Sequence, residues 1–448
     1  GSNPTFSGNG KTFYNVAFTD TSAGTVTING ANSFNNLSFT GITSAGLKNI
    51  SVTANQTITG TFTCSAGTNA TMRHFVRSDA IGTTRTLTCA AVSLTDVDFR
   101  DITIAGAAAP ATGTRIGDCK GNSGITFTAA ANKYWNLAAG GNWGGAIGWA
   151  TGSGGTPNIN NFPLAQDTCF FEATGLNSGA TITINQAYNI GTIDMSARTT
   201  NTMTLACTFS PTFYGNWVNG TGTTISGSGG FTFAGRGSQT ITSAGKSFTQ
   251  TISIDTPSGS VTLQDAFVMS VGSSQALAIT RGTFDAVSYN VTATGVGASN
   301  SNIRTVAIGS GTWTLSGASE QWSTTTSTNL TVTGTGTISL TSASAKTFAG
   351  GGISYSSITL NQGGAGTLTI SGNNTFANIT NTYSATGATT IAFGTTTQRV
   401  GSFTATGEAG RVLTLTGSSA SSPCTLVHTG SGTAADVDYL TITGVRAY

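Results

Sequence analysis

Gly24-Thr25-Val26-Thr27-Ile28-Asn29-Gly30 alternates hydroxyl-bearing and aliphatic side chains through its centre. Successive side chains of an extended strand point to opposite faces, so Val26 and Ile28 share one face and the threonines the other. β-Branching favours extended backbone, and the threonine hydroxyl meets water, so the stretch reads as a strand with one buried face. Gly30-Ala31-Asn32 then supplies a turn. The pattern recurs at Thr181-Ile182-Thr183-Ile184, at Thr262-Leu263 and at Thr367-Leu368-Thr369-Ile370, which Gly372-Asn373-Asn374 closes. No segment of useful length has a helical period. The chain reads as all-β.

The opening stretch also has a copy. Gly366-Thr367-Leu368-Thr369-Ile370-Ser371-Gly372 repeats it, and a phenylalanine (Phe34, Phe376) follows at the same distance. Gly60-Thr61-Phe62-Thr63 matches Gly401-Ser402-Phe403-Thr404, and Asp96-Val97-Asp98-Phe99 matches Asp436-Val437-Asp438-Tyr439, with Ile102 and Ile442 in step. Each pair is about 340 residues apart, so one duplication relates the first hundred residues to the last hundred. The simplest reading is a tandem array: residues 1–118 as the end of one unit, 119–175 as a junction opening the next, and 176–448 as the body and end of that second unit. A longer parent protein is expected, and Gly1-Ser2 reads as a cloning scar.

Two all-β architectures compete. In a parallel β-helix, or β-solenoid, short coils stack and their strands form one continuous core. In tandem β-sandwich domains each unit of about 100 residues pairs antiparallel strands around a buried Trp. The many short strands, the Gly/Asn corners and only seven prolines favour the solenoid, because proline cannot donate within a ladder. About 20 coils at roughly 4.8 Å would give a rod on the order of 95 Å.

Composition narrows the function classes. Charged residues are 8% of the chain, the net charge is +2, and 61 of 448 residues are glycine. No basic run offers a footprint for nucleic acid. No apolar stretch approaches the length of a spanning helix, so no membrane insertion is expected. Cys64, Cys89, Cys119, Cys169, Cys207 and Cys424 form no C-x-x-C pair, which removes the usual zinc and redox motifs. They read as small buried thiols, with a Cys64–Cys89 coil staple as the alternative.

The segment from Cys119 to Glu172 differs from the rest, holding Trp135, Trp143 and Trp149 within 15 residues. Tyr134-Trp135-Asn136-Leu137, Gly141-Asn142-Trp143, Asn161-Phe162-Pro163 and Asp167-Thr168-Cys169-Phe170 resemble the stretch that opens passenger-type repeats of large secreted bacterial proteins. The wider pattern, with Asp436-Val437-Asp438-Tyr439-Leu440, is similar to very long Gly/Thr-rich repeat proteins of tailed phages. The resemblance implies a β-helical virion or cell-surface protein and supplies no catalytic residue. Cys169 stands where that pattern has a small or apolar residue, which leaves a disulfide role open.

Three features admit a chemical reading beside a plainer one. Gly-Lys-Thr at 10–12 and Gly-Lys-Ser at 245–247 lack the first glycine of a phosphate loop, since Thr5 and Thr240 occupy its place. Lysine at a coil corner is the reading kept. Asp96/Asp98 and Asp436/Asp438 are spaced to share a strand face, as calcium ligands, as a sugar-cleaving acid and base, or as outward, solvated carboxylates, the reading preferred. Trp135, Trp143 and Trp149 are either a platform for sugar rings or the core of a cap. His74 and His428 do not align under the repeat. No catalytic, cofactor-binding or metal-ligating residue is assigned. The expectation is a non-catalytic structural or adhesive rod of a virion or bacterial surface, with neighbouring repeat units as partners. A carbohydrate-binding fibre protein, with cell-surface glycan as partner, and a polysaccharide-cleaving solenoid are the alternatives.

Overall fold

The computed structural model describes residues 3–65, 67–145, 147–431 and 437–448, so Gly1, Ser2 and Asp436 lie outside the described residues. The fold is a β-solenoid of about 18 stacked parallel turns, 51% strand and 2% helix. Parallel β-helix is therefore the architecture, and the sandwich alternative falls. The chain divides into two units, residues 1–240 and 241–448.

The first unit opens with a stack of coils that places alternate strands in two sheets. One sheet runs Thr5–Ser7, Gly24–Asn29, Gly46–Val52, Met72–Ser78, Val97–Arg100, Gly117–Asp118. The other holds Thr12–Phe18, Ser33–Phe39, Gln56–Ser65, Arg85–Thr95 and Ile102–Ala105. Every pairing in both is parallel and close to in register: Val26 lies opposite Ile50, and Ile50 opposite Val76. Registered stacking sets like on like, so Phe18 and Phe39 lie face to face at 4.9 Å with 5° between their planes. Val26, Ile28, Ile50 and Val52 are all buried, as the alternating pattern predicted.

A second stack in this unit begins with Asn132–Trp135 and continues through Thr168–Phe170 and Thr192–Asp194, with Gly140–Asn142, Ala180–Ile184, Met203–Cys207 and Thr223–Ser226 on another face. Its first coil carries an antiparallel ladder, Trp135 opposite Trp149.

The second unit repeats the two-sheet plan. Leu368–Ser371, Thr389–Gly394, Leu413–Gly417 and Leu440–Thr443 stack on one face, and Thr375–Asn381, Thr397–Thr404, Cys424–His428 and Val445–Ala447 on the other. These strands retrace those of residues 24–105, with Ile391 opposite Leu368 as Ile50 is opposite Val26. The correspondence shifts at the last coil. Leu413 N donates to Tyr439 O at 3.1 Å where His74 N donates to Asp96 O at 3.0 Å. Tyr439 (φ 51°) and Asp96 (φ 55°) both take the left-handed conformation. Leu440, and not Val437, therefore occupies the place of Val97, so Val437-Asp438 matches Val97-Asp98 in sequence but not in position.

Candidate functional site

The aromatic junction forms a core. Trp135, Trp143 and Trp149 are 1%, 0% and 2% exposed. Trp149 meets Trp135 edge to face at 5.2 Å and Trp143 at 4.7 Å, with Phe171 packed against it at 5.7 Å. Trp135 Nε1 donates to Leu137 O at 3.0 Å and Trp149 Nε1 to Trp143 O at 3.1 Å. The three rings pack edge to face on one another and are buried in this structure.

Asp96 and Asp98, expected to be solvated, are instead enclosed, each 1% exposed. Arg73, equally buried, donates to Asp98 Oδ1 from Nη2 at 2.6 Å and from Nε at 3.1 Å, and reaches Asp96 Oδ1 at 3.4 Å. Arg115 grips Asp96 with both prongs, at 2.6 and 2.7 Å. Strand alternation failed as a guide because Asp96 sits at a left-handed corner, outside the two-residue period, and because the outer face here is covered by the second stack. Asn189 of that stack donates to Asp98 Oδ2 at 3.1 Å, Tyr188 Oη donates to Thr71 O at 3.2 Å, and Arg236 pairs with Asp101. Burial disfavours the Arg73 charge, but the two carboxylates outweigh this and hold its pKa above the ordinary guanidinium value.

This arrangement clamps two stacks and leaves neither carboxylate free to act as acid, base or calcium ligand. Among the described residues no group of three or more His, Cys, Asp or Glu could hold a metal ion. In the second copy the clamp's positions are Val412 for Arg73, Tyr439 for Asp96 and Thr441 for Asp98. The charges are particular to the first copy and are not a requirement of the coil.

Other buried ionisable groups hold coil corners. Arg304 donates to the carbonyls of Ala298, Asn302, Thr326 and Thr328 at 2.5–2.8 Å. Arg198 serves Glu172, Leu176, Asn177 and Thr202 in the same way. Lys346, which with Thr347-Phe348 repeats Lys11-Thr12-Phe13, donates to Ser342, Gly364 and Gly366 carbonyls at 2.6–3.2 Å, and burial brings its pKa down to about 8. Composition could not reveal these roles, since they depend on which corner faces inward.

One pair has the residue types of a thiol nucleophile and its base. Cys64 Sγ lies 3.1 Å from His74 Nδ1, and His74 Nε2 lies 3.2 Å from Thr40 O. Thr40 O can only accept, so Nε2 carries the proton and Nδ1 accepts from the thiol. Burial pushes the Cys64 thiol well above its ordinary value and the imidazole down to about 4. A nucleophile needs the thiolate and access, and Cys64 has neither, being fully enclosed. All six cysteines are free and buried, so the Cys64–Cys89 staple is not formed and Cys169 is an enclosed thiol.

The second unit carries an open apolar groove of about 360 Å³ between its last coils, lined by Val400, Phe403, Leu415, Leu426, His428, Leu440, Ile442, Val445 and Tyr448 among others. The strand pattern alone does not mark it, because its residues have the pattern of ordinary inward-facing strand positions. No helix among the described residues is long and apolar enough to cross a membrane. No protein-family model, curated protein or solved structure matches the chain.

Proposed function

We propose that this protein is a non-catalytic structural rod of a virion or bacterial cell surface, with neighbouring repeat units as its partners. The observation that carries the reading is the use of its buried polar chemistry. Arg198, Arg304 and Lys346 hold coil corners, and Arg73 with Asp96 and Asp98 clamps two stacks. Each of these groups is enclosed and committed to a bond of the architecture. Stacked parallel coils with registered hydrogen bonds suit load-bearing and spacing, because each coil supports the next.

Gold-labelled antibody against the chain, applied to intact particles and cells of the source, is expected to decorate the outer surface. Labelling that requires the cell to be opened would overturn the surface assignment. Release of reducing ends from capsular polysaccharide would overturn the non-catalytic one.

A further inference from the structure

The groove of the second unit has a counterpart in the first stack, and there it is covered. Leu440 lies opposite Leu413 as Val97 lies opposite His74, and Ile442 opposite Leu415 as Phe99 lies opposite Val76. On the other sheet Val445 lies opposite Cys424 as Ile102 lies opposite Arg85. Yet Phe99 and Ile102 are 0% exposed, whereas Ile442 is 57% exposed.

The difference is one further coil. Gly117–Asp118 pairs in parallel with Val97–Arg100, and Cys119 N donates to Phe99 O at 2.9 Å. Ser123 N donates to Ile102 O at 3.1 Å and Ser123 O accepts from Ile104 N at 3.0 Å. Ala111 and Ile116 are buried in the same apolar cluster as Phe99 and Ile104. The coil is thus a short extended segment that completes both sheet edges and lays small aliphatic side chains over the core.

We propose that the apolar face around Leu440, Ile442 and Val445 binds a capping coil of this kind: a chain segment with the chemistry of residues 107–128, paired along Leu440–Thr443 and placing an Ile116-like side chain over Leu440, as Ile116 falls in line with Val97 in the first copy. Charge does not recruit it, since Thr441 and Thr443 stand where the first copy has Asp98 and Arg100. Backbone edge pairing and apolar burial do. The proposal rests on the fold and not on the surface role, so its failure leaves the rod reading standing.

The test is a variant of this chain with residues 107–128 appended after Tyr448, followed by amide hydrogen exchange. The segment is expected to slow exchange across 440–447 by about tenfold or more, as an edge gains a partner. Ile116→Asp within the appended copy should abolish that protection while the parent coils exchange unchanged, which separates docking from a general effect of length. Unchanged exchange at 440–447 in the appended protein overturns the proposal. So does a parent chain whose exchange there is already slow and quickens on dilution as a dimer dissociates in sedimentation, because a second copy would then be the occupant.

Discussion

The side chains of Asn374 and Gln398, one coil apart, are joined by a hydrogen bond from Asn374 Nδ2 to Gln398 Oε1 at 3.1 Å. The same amide serves the Ser371 and Gly372 carbonyls at 3.0 Å each, and Gln398 Nε2 reaches Gly372 O at 2.7 Å. Asn32 and Gln56 build the identical network, with Asn32 Nδ2 on Asn29 O, Gly30 O and Gln56 Oε1, and Gln56 Nε2 on Gly30 O at 2.7 Å. Gly30 (φ 79°) and Gly372 (φ 83°) adopt the left-handed turn that directs those carbonyls inward. The carboxamide ladder is how this fold turns a corner without leaving buried backbone acceptors unmet.

Replacing Asn374 with alanine strips partners from two carbonyls and from Gln398. A loss of roughly 1–3 kcal/mol is expected, the cost of leaving buried polar groups unsatisfied. Asn374→Ala/Gln398→Ala should cost less than the sum of the two single changes, because both remove one network. Urea unfolding with exchange read at 371–381 checks both statements, and strict additivity would contradict them.

Asp98→Asn removes the nearer of the two charges that Arg73 faces inside the clamp. Removing one partner of a buried ion pair typically costs about 3–5 kcal/mol. Arg73→Met/Asp98→Leu should recover part of that loss, since no unpaired charge then remains. Exchange at 73–78 and 189–190 is the readout, because the clamp ties those strands of different stacks together. If Asp98→Asn is as stable as the parent, the clamp is not structural.

The opening strand pattern was enough to read the fold class, the inward faces and the duplication, because all three are written in a two-residue period and in repeated words. The clamp was not readable. Asp98 alternates with Val97 as an outward residue should, and only the arrival of Asn189 and Arg236 from a distant part of the chain encloses that face. The tryptophans were legible as a departure from the repeat, but whether their faces point to water or to each other is a tertiary question. The groove at Ile442 was illegible for the opposite reason: its strand has the same pattern as every covered one.

His74 makes the first stack sensitive to acid. Its ordinary value is 6.5, and burial first, with nearby Lys48 and Arg73 adding to it, lowers this to about 4 in the folded protein. Between those values the unfolded chain binds more protons, so stability is complete above 6.5 and falls as pH drops toward 4. Such a shift amounts to about 3 kcal/mol. His74→Leu, which copies Leu413 at the equivalent place, should flatten the pH dependence of the denaturation midpoint in this window. Retention of the full slope in the variant would assign it to other groups.

The thiols act at the opposite end of the scale. Burial raises all six, Cys89 and Cys207 to about 12 from the ordinary 9.0. A group held protonated by the fold contributes stability that is whole below its unfolded value and is lost as pH climbs toward the folded one. Lys346 works the other way, its lowered value of about 8 adding stability as pH rises from 8 toward 10.5. Burial lowers Lys48 as well, and two amines against six thiols leave a net decline, so the urea midpoint under reducing conditions should fall from pH 9 to 11. Cys89→Ala/Cys207→Ala should make the decline shallower. At pH 8 the native thiols should resist a disulfide reagent that titrates them on unfolding, because each Sγ is enclosed. Rapid labelling of the native protein would show that the coils open far more often than a registered parallel stack permits.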